Sequence, residues 1–205
     1  MAHQILLASR NAKKLAELQR VVDAAGIVGL EVIGLDAVPE YPEEPETGAT
    51  FEENALIKAR AGARATGLPC LADDSGLAVD ALNGMPGVLS ARWSGRHGDD
   101  PGNNELLLNQ IGDVPDDRRG AAFVSACALV LPSGQETVVR GEWRGTILRE
   151  GRGANGFGYD PLFIPDDEIA AGRSSAELSA QEKDALSHRG KALAQLVPAL
   201  KALAD

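Results

Sequence analysis

The chain is organised around the stretch Cys70-Leu71-Ala72-Asp73-Asp74-Ser75-Gly76-Leu77. A short apolar run ends there in two adjacent carboxylates, a hydroxyl and a glycine, after which apolar residues resume. This pattern predicts a buried strand that leaves the core at the edge of a sheet, where open α/β sheets place their ligand crevices. Because side chains alternate along a strand, Asp73 and Asp74 should point in opposite directions. One of them could face a ligand while the other fixes the turn, although any tight turn also selects Asp, Ser and Gly.

Composition favours one globular domain over residues 1–205, or one domain with a sub-lobe, since 44% of the 205 residues are hydrophobic. No apolar run approaches a membrane helix in length, and the N-terminal one is too short for a signal peptide. Cys70 and Cys127 are isolated, which indicates buried, reduced thiols in a cytoplasmic protein. The net charge of −10 argues against a nucleic-acid polymer as the main partner, but not against a small anion in a locally basic pocket.

The first part of the chain has the pattern of an anion site. A strand from Gln4 to Ala8 runs through Ser9-Arg10-Asn11 into a helix from about Ala12 to Ala25. The free N–H groups and positive dipole end of such a helix point at the turn before it. Lys13 and Lys14 occupy the first turn, where acidic residues are preferred, which favours phosphate binding; two solvated surface lysines are the alternative.

An acidic, Pro-rich segment from Asp36 to Thr47 predicts a solvated loop, one glutamate of which could reach a metal. The capping box Thr50-Phe51-Glu52-Glu53 then opens a helix that extends to about Thr66. Asn54 and Lys58 are four residues apart and therefore share a polar side of this helix.

The rest of the chain alternates strands and helices. Expected strands are Leu30–Leu35, Leu77–Leu82, Ala121–Leu131 and Glu136–Arg149, with a long loop from Asn83 to Gly95 and a helix from the cap Asp100 to about Ile111. Pro132-Ser133-Gly134 joins the last two strands, which predicts an antiparallel hairpin.

Residues Gly151 to Gly156 match the dinucleotide pattern G-x-G-x-x-G, which requires a helix to open directly after it. Here Phe157-Gly158-Tyr159-Asp160-Pro161 follows, and Pro161 favours an extended predecessor. The segment is therefore interpreted as a Gly-rich loop whose Phe157 or Tyr159 could stack on a planar base. The P-loop pattern is absent from the sequence as well.

A second capping box, Ser179-Ala180-Gln181-Glu182, opens the C-terminal helical region. If that helix is continuous, Lys183, Ser187 and His188 fall on neighbouring turns of one face, and Pro198 disturbs the helix further on. A lone histidine is more often structural, but His188-Arg189 near a lysine after a Gly-rich aromatic loop favours a site.

Five separated elements, in this order, closely resemble the non-canonical purine NTP pyrophosphatases, the inosine triphosphate pyrophosphatase family. They are Ser9-Arg10-Asn11-Ala12-Lys13-Lys14, Glu46-Thr47-Gly48 with Phe51-Glu52-Glu53-Asn54-Ala55, Ala72-Asp73-Asp74-Ser75-Gly76-Leu77, Phe157-Gly158-Tyr159-Asp160-Pro161, and Lys183 with Ser187-His188-Arg189. The resemblance implies a Mg²⁺-dependent homodimer of elongated, mixed-sheet α/β protomers, each with two lobes flanking a central nucleotide-binding cleft. It also implies hydrolysis of ITP, dITP or XTP to the monophosphate and pyrophosphate, which keeps deaminated purines out of nucleic acid.

The resemblance also implies roles for single residues. Asp74 would be the catalytic, metal-associated carboxylate. Substrate contacts would come from Ser9, Arg10, Asn11, Ala12, Lys13 and Lys14 at the triphosphate, and from Ser75, Phe157, Gly158, Tyr159, Asp160, Lys183, His188 and Arg189 at the nucleotide. This chain has Ser9-Arg10 where many members have Thr-Gly. The hydroxyl is kept, but Arg10 could change how closely the loop surrounds the phosphates.

The chemistry of the residues agrees with these roles. Hydrolysis of a triphosphate requires charge neutralisation, in-line positioning and a base. Lys13, Lys14, Lys58 and Lys183 supply positive charge. Mg²⁺ usually takes one or two protein carboxylates; Asp74 would be one, and Glu40, Glu43 or Glu46 the other, with Glu46 favoured by its Glu-Thr-Gly motif.

Two rival hypotheses remain at this level. One is a related pyrophosphatase acting on modified pyrimidines or methylated bases. The other is a non-catalytic nucleotide sensor or RNA-binding module, which the acidic balance and the carboxylate pair disfavour. Preference for a 6-oxo purine follows if Arg189 or a backbone N–H donates to that oxygen, because a 6-amino group would place donor against donor.

Overall fold

The computed structural model describes residues 3–169 and 171–204 and contains both strands and helices, which confirms the α/β class. The strands are β1 (His3–Leu7), β2 (Leu30–Ile33), β3 (Cys70–Val79), β4 (Gly120–Val130), β5 (Glu136–Ile147) and β6 (Phe163–Pro165). The α-helices are α1 (Ala12–Ala24), α2 (Phe51–Thr66), α3 (Asp100–Gln110), α4 (Ala180–Leu186) and α5 (His188–Ala204).

The strands form one mixed sheet in the order β2-β1-β3-β4-β5-β6. Strand β1 pairs in parallel with both β2 and β3, with Leu6 opposite Ile33 on one side and Cys70 on the other. Strand β5 pairs antiparallel with β6, where Gly145 lies opposite Pro165. The parallel part carries the helical crossovers α1 and α2, as parallel neighbours require.

The chain divides into two compact units. Unit 1 comprises Met1–Asp74, Ser125–Arg140 and Gly190–Asp205, and unit 2 comprises Ser75–Val124 and Gly141–Arg189. Strands β3, β4 and β5 each contribute residues to both units. That residues 1–205 act as a single pyrophosphatase domain stays a prediction.

Each unit has its own apolar core. In unit 1, side chains of β1 and α1 pack with those of α5, and the buried residues include Ile5, Leu18, Val22, Leu71, Leu193 and Leu196. In unit 2, aromatic side chains form the centre of the core. The ring centroid of Phe163 lies 5.7 Å from that of Trp143 and 4.7 Å from that of Phe123. Full burial of a large apolar side chain contributes about 1.5–3 kcal/mol, so each cluster stabilises its own unit.

The predicted helix ends are confirmed where local sequence controls them. Thr50 and Glu53 form the reciprocal capping box of α2, and Gly67 ends that helix with φ of 69°. In α1, the side chain of Asn11 accepts a hydrogen bond from the N–H of Lys13, so the polar turn caps its own helix. The hairpin between β4 and β5 also forms, closed by the N–H of Leu131 donating to the carbonyl of Gln135.

The predicted turn in the central stretch is wrong. Strand β3 continues through Asp73, Asp74, Ser75 and Gly76, so Leu77–Leu82 is not a separate strand. Close packing, not a turn, explains Gly76, because a Cβ there would clash with Ser90 Oγ. The same hydroxyl accepts the N–H of Leu77 at 2.9 Å, which leaves no space for a side chain at position 76.

Two helix predictions also need correction. Asp99 rather than Asp100 caps α3, because its side chain accepts the N–H of Gly102. The C-terminal helical region is not continuous, since Ser187 is extended between α4 and α5 with ψ of 156°. Lys183 and His188 therefore do not share one helix face, whereas Pro198 lies within α5 without ending it.

The predicted burial of both thiols is confirmed. Cys70 and Cys127 are buried, and burial raises the pKa of Cys70 to about 12, which keeps that thiol protonated at neutral pH. None of the helices within residues 3–169 and 171–204 has both the length and the hydropathy needed to cross a membrane.

Candidate active site

Asp74 is the last residue of β3 that belongs to unit 1. Both of its carboxylate oxygens contact side chains of α2. Oδ2 accepts a hydrogen bond of 3.0 Å from Nδ2 of Asn54, and Oδ1 lies 3.5 Å from Nζ of Lys58. Burial raises the pKa of the Asp74 carboxyl, and this outweighs the lowering by Lys58 and Asn54. A base works best with its pKa near the operating pH, so the raised pKa suits Asp74 for accepting a proton.

Lys58 links Asp74 to the acidic loop. Its ammonium donates to Oε1 of Glu46 at 2.8 Å as well as contacting Asp74. Burial lowers the pKa of Lys58, but the two carboxylates more than offset this, so the net shift is upward and the ammonium stays charged. Lys58 and Asn54 reach Asp74 together because they lie one turn apart on α2, as their spacing predicts.

Asp73 faces a different partner, which confirms the predicted alternation of the two adjacent carboxylates. Oδ2 of Asp73 lies 2.6 Å from Nζ of Lys14, and the Asp73 side chain is only 3% exposed. Lys14 therefore neutralises a buried carboxylate in this structure, in addition to its proposed role with phosphate. Lys13, one residue earlier, is exposed, so the two lysines do not have equivalent surroundings.

The donor set of unit 1 fits Mg²⁺. Glu46 and Asp74 share the Lys58 ammonium, so a cation already lies between two carboxylates. Within residues 3–169 and 171–204 there is no group of three or more His, Cys, Asp or Glu side chains arranged for a metal. Mg²⁺ does not require one, because it commonly takes one or two carboxylates and fills its shell with water and phosphate oxygens.

The other glutamates considered for the metal have different surroundings. Glu43 pairs with Arg10 at 2.6 Å, and both side chains are more than half exposed. Glu40 is exposed. The contacts therefore favour Glu46 as the companion of Asp74.

The loop before α1 forms the predicted helix-end arrangement. Ser9 Oγ accepts the N–H of Asn11 at 3.2 Å, and Oδ1 of Asn11 caps α1 by accepting the N–H of Lys13. Arg10 points into its surface ion pair with Glu43, so its predicted contact with phosphate would require that pair to open. Ala12 begins the helix and is exposed.

In unit 2, the aromatic loop presents Phe157, whose side chain is exposed while that of Tyr159 is buried. Phe157 is 56% exposed and Tyr159 is 4% exposed. The hydroxyl of Tyr159 donates to the carbonyl of Ser90 at 2.8 Å, and burial raises the pKa of that hydroxyl. Of the two aromatic residues left open by the sequence, Phe157 is therefore the one whose ring reaches solvent, and Tyr159 anchors the loop.

Asp160 organises this loop from within. It is 2% exposed and accepts hydrogen bonds from the N–H of Phe157 and the hydroxyl of Ser175, while Lys183 Nζ contacts its Oδ2. Lys183 also lies 5.4 Å from the centre of the Phe157 ring, within cation–π range. The contacts of Asp160 are thus internal, which gives it a positioning role.

Helix α3 holds the other side of the loop, which sequence reasoning missed. Asp100 Oδ2 accepts the N–H of Gly158 at 2.7 Å, and Asn104 Nδ2 donates to the carbonyl of Gly158 at 2.9 Å. Gly158 has φ of 62°, a conformation that favours glycine. No local pattern links these residues, because Asp100 and Gly158 are 58 residues apart.

The remaining predicted residues, Ser75, His188 and Arg189, belong to unit 2. The ring of His188 stacks on Phe123, with centroids 5.1 Å apart and planes at 16°. Arg189 is 8% exposed, and Ser75 is half-buried directly after Asp74 in β3. His188 is therefore a half-buried member of an aromatic stack.

Comparison with known proteins gives a consistent result. The model of the Ham1 family matches residues 5–199. A relative from Nocardia farcinica named dITP/XTP pyrophosphatase is 70% identical over 98% of this chain and 97% of its own length. Another of that name, from Mycobacteroides abscessus, is 64% identical over the same shares of the two chains.

Solved structures agree with the sequence matches. The crystal structure of a nucleoside-triphosphatase, a dITP/XTP pyrophosphatase from Mycobacterium abscessus, is similar with a TM-score of 0.80 and 65% identity, covering 96% of this chain and 99% of that one. A HAM1 protein from Coxiella burnetii is similar with a TM-score of 0.86 and 43% identity, covering 98% and 99%.

Proposed function

Since this chain belongs to the Ham1 family, we propose that it is a pyrophosphohydrolase of non-canonical purine nucleoside triphosphates. It hydrolyses ITP, dITP and XTP to the nucleoside monophosphate and pyrophosphate, which prevents their incorporation into DNA and RNA. The near-full-length similarity to relatives named dITP/XTP pyrophosphatase carries this conclusion. The carboxylate and lysine contacts of unit 1 agree with it chemically.

Asp74 is the proposed general base. It takes a proton from the attacking water as the water oxygen bonds to phosphorus, and the anhydride bond to the pyrophosphate leaving group breaks. Asn54 holds Oδ2 of Asp74 by a 3.0 Å hydrogen bond, so the carboxylate enters the reaction with its orientation set. Lys58, Lys13 and Lys14 neutralise phosphate charge in the same unit.

Mg²⁺ dependence is part of the proposal. Glu46 and Asp74 would hold the ion, supported by their shared contact with Lys58. When bound, Mg²⁺ neutralises charge on the phosphate oxygens and orients them. Lys58 contacts both carboxylates, and with Mg²⁺ bound between them its ammonium would serve the phosphate oxygens instead.

Base recognition is assigned to unit 2. Phe157 would stack on the purine, supported by its exposed ring and by the bonds that fix its loop. Arg189, His188, Ser75 and Lys183 complete the proposed contacts, with Arg189 directed to the 6-oxo edge. A homodimer in the cytoplasm is also proposed from membership of the family, and sedimentation of the purified protein tests the oligomeric state.

A nucleotide panel tests the function. With Mg²⁺, we expect ITP, dITP and XTP to yield monophosphate and pyrophosphate with kcat/KM at least about 100-fold above that for ATP, within the range that hydrogen-bond readout supports. Chelation with EDTA should stop the release of pyrophosphate, and excess Mg²⁺ should restore it. Preferred turnover of modified pyrimidines or methylated bases would favour the rival pyrophosphatase, and binding without release of pyrophosphate would favour a sensor.

The two proposed base contacts should fail in different ways when removed. Stacking is insensitive to base identity, whereas a donor at the 6-position is sensitive to it. Phe157→Ala should therefore lower kcat/KM for ITP and ATP by similar factors, about tenfold or more. Arg189→Ala should penalise ITP well beyond ATP and shrink the ITP/ATP ratio.

Steady-state kinetics with both nucleotides measures this difference. Ile169→Ala is the matched control for Phe157→Ala, because Ile169 is also an apolar side chain of unit 2 that is 56% exposed; it should leave both values unchanged. An unchanged ITP/ATP ratio in a folded Arg189→Ala protein would contradict a donor role at the 6-position. Arg189 would then bind phosphate or stabilise the fold.

A further inference from the structure

Asn54 is buried at the point where the Glu-Thr-Gly segment meets Asp74. It is the fourth residue of α2 and has no exposed surface. Its Oδ1 accepts the N–H of Gly48 at 2.8 Å, and its Nδ2 donates to Oδ2 of Asp74 at 3.0 Å. One neutral side chain thus connects the backbone of the segment that carries Glu46 to the carboxylate on β3.

The segment is held closely against the helix at this point. The N–H of Ala49 donates to Glu53 Oε2 at 2.6 Å, directly after the bond from Gly48 to Asn54. A Cβ at Gly48 would lie 2.6 Å from Glu53 Cβ and 2.7 Å from Asn54 Oδ1. Glycine at position 48 is therefore required for this approach, and the approach limits where the backbone of Glu46, two residues before Gly48, can lie.

Lys58 makes a second connection between the same two partners, from the next turn of α2. It contacts Glu46 Oε1 and Asp74 Oδ1, whereas Asn54 contacts the backbone of Gly48 and Asp74 Oδ2. Since Asn54 holds Oδ2, the other oxygen of Asp74 is directed to the side where Glu46 lies. Lys58 is a flexible cation that a metal or phosphate can displace, but the Asn54 amide carries no charge to lose.

We propose that Asn54 is a positioning residue that sets the separation and orientation of the Glu46 and Asp74 carboxylates for one divalent cation. This inference rests on the proposed Mg²⁺ site. Partners of metal ligands that orient them without touching the metal typically contribute 10–100-fold to metal affinity. Removing the amide should therefore weaken metal binding in a protein that still folds.

Mn²⁺ binding tests this directly, measured by the EPR signal of free Mn²⁺ with the α,β-imido analogue of ITP, which is not cleaved. We expect Asn54→Ala to raise the Mn²⁺ dissociation constant about 10–100-fold. Gly48→Ala, which forces the segment away from Asn54, should raise it similarly and provides a second route if Asn54→Ala folds poorly.

The matched control is Asn103→Ala. Asn103 is the fourth residue of α3, is 2% exposed, and accepts the N–H of Ser94 at 2.7 Å, so it has the same fold role without a carboxylate partner. It should lower the melting temperature but leave Mn²⁺ affinity unchanged. Unchanged Mn²⁺ affinity in folded Asn54→Ala and Gly48→Ala proteins would overturn this inference alone. A wild-type protein that binds no Mn²⁺ would overturn the metal site together with it.

Discussion

Replacing Asp74 with Asn should lower kcat for ITP by about 10²–10⁴-fold, the usual cost of losing a positioned base. The variant keeps the shape of the side chain and an oxygen that accepts the Asn54 amide, but it removes the proton acceptor and the charge near Lys58. Initial rates of pyrophosphate release at saturating Mg²⁺ measure this, and an unchanged thermal unfolding curve shows that the fold is kept.

Asp80→Asn is the matched control for this substitution. Asp80 is another aspartate with a basic partner, Arg144 at 2.6 Å, but both side chains are about half exposed. Exposed ion pairs contribute little, about 0–1 kcal/mol, so neither activity nor stability should change appreciably. Near-normal turnover by folded Asp74→Asn would contradict the assignment of the base and make Asp73→Asn the next variant to measure.

Replacing Lys183 with Met should lower the free energy of unfolding by about 3 kcal/mol, because it leaves the buried Asp160 carboxylate without its ammonium. The Asp160 side chain is 3% exposed and that of Lys183 is 20% exposed, which places the loss at the lower end of the range for buried pairs. Urea unfolding measures the loss. Lys201→Met, at an exposed position of α5, should change the free energy by no more than about 0.5 kcal/mol.

A double variant separates charge from packing at this pair. Lys183→Met with Asp160→Asn removes the buried charge while the amide oxygen still accepts the hydroxyl of Ser175. It should recover part of the lost stability, since the amide nitrogen in place of Oδ2 no longer accepts the N–H of Phe157; equal losses in the single and double variants would assign the effect to packing. If Lys183→Met costs no more than Lys201→Met, the buried pair does not stabilise the fold, and Lys183 acts mainly on the ligand.

Local sequence determined both ends of α2. The capping box of Thr50 and Glu53 and the glycine at position 67 act over three or four residues, so their outcome does not depend on the rest of the chain. The spacing of Asn54 and Lys58 is local in the same sense, since helix geometry alone places residues four apart on one side. Alternation along β3 is also local, and it directs Asp73 and Asp74 to different partners.

The central strand shows where local reasoning was insufficient. Asp, Ser and Gly at 73–76 are typical of a turn, yet β3 runs through them. Gly76 is required because Ser90 packs against its backbone. Ser90 is 14 positions away, so the turn propensity of residues 73–76 contains no information about this contact. The break between α4 and α5 was missed for a related reason, since Ser187 is as compatible with a helix as with an extended residue.

The sequence by itself determined the α/β class, the family to which the chain is similar and the identity of the candidate carboxylates and lysines, because these depend on residue types and their order. The tertiary structure alone decided which of them meet. Lys14 bonds to Asp73, which is 59 residues away in the sequence. Asn54 bonds to Asp74 over a separation of 20 residues, and Asp100 to Gly158 over 58. Such pairs are set by the packing of helices and loops on the sheet, where burial makes each unpaired charge or amide costly.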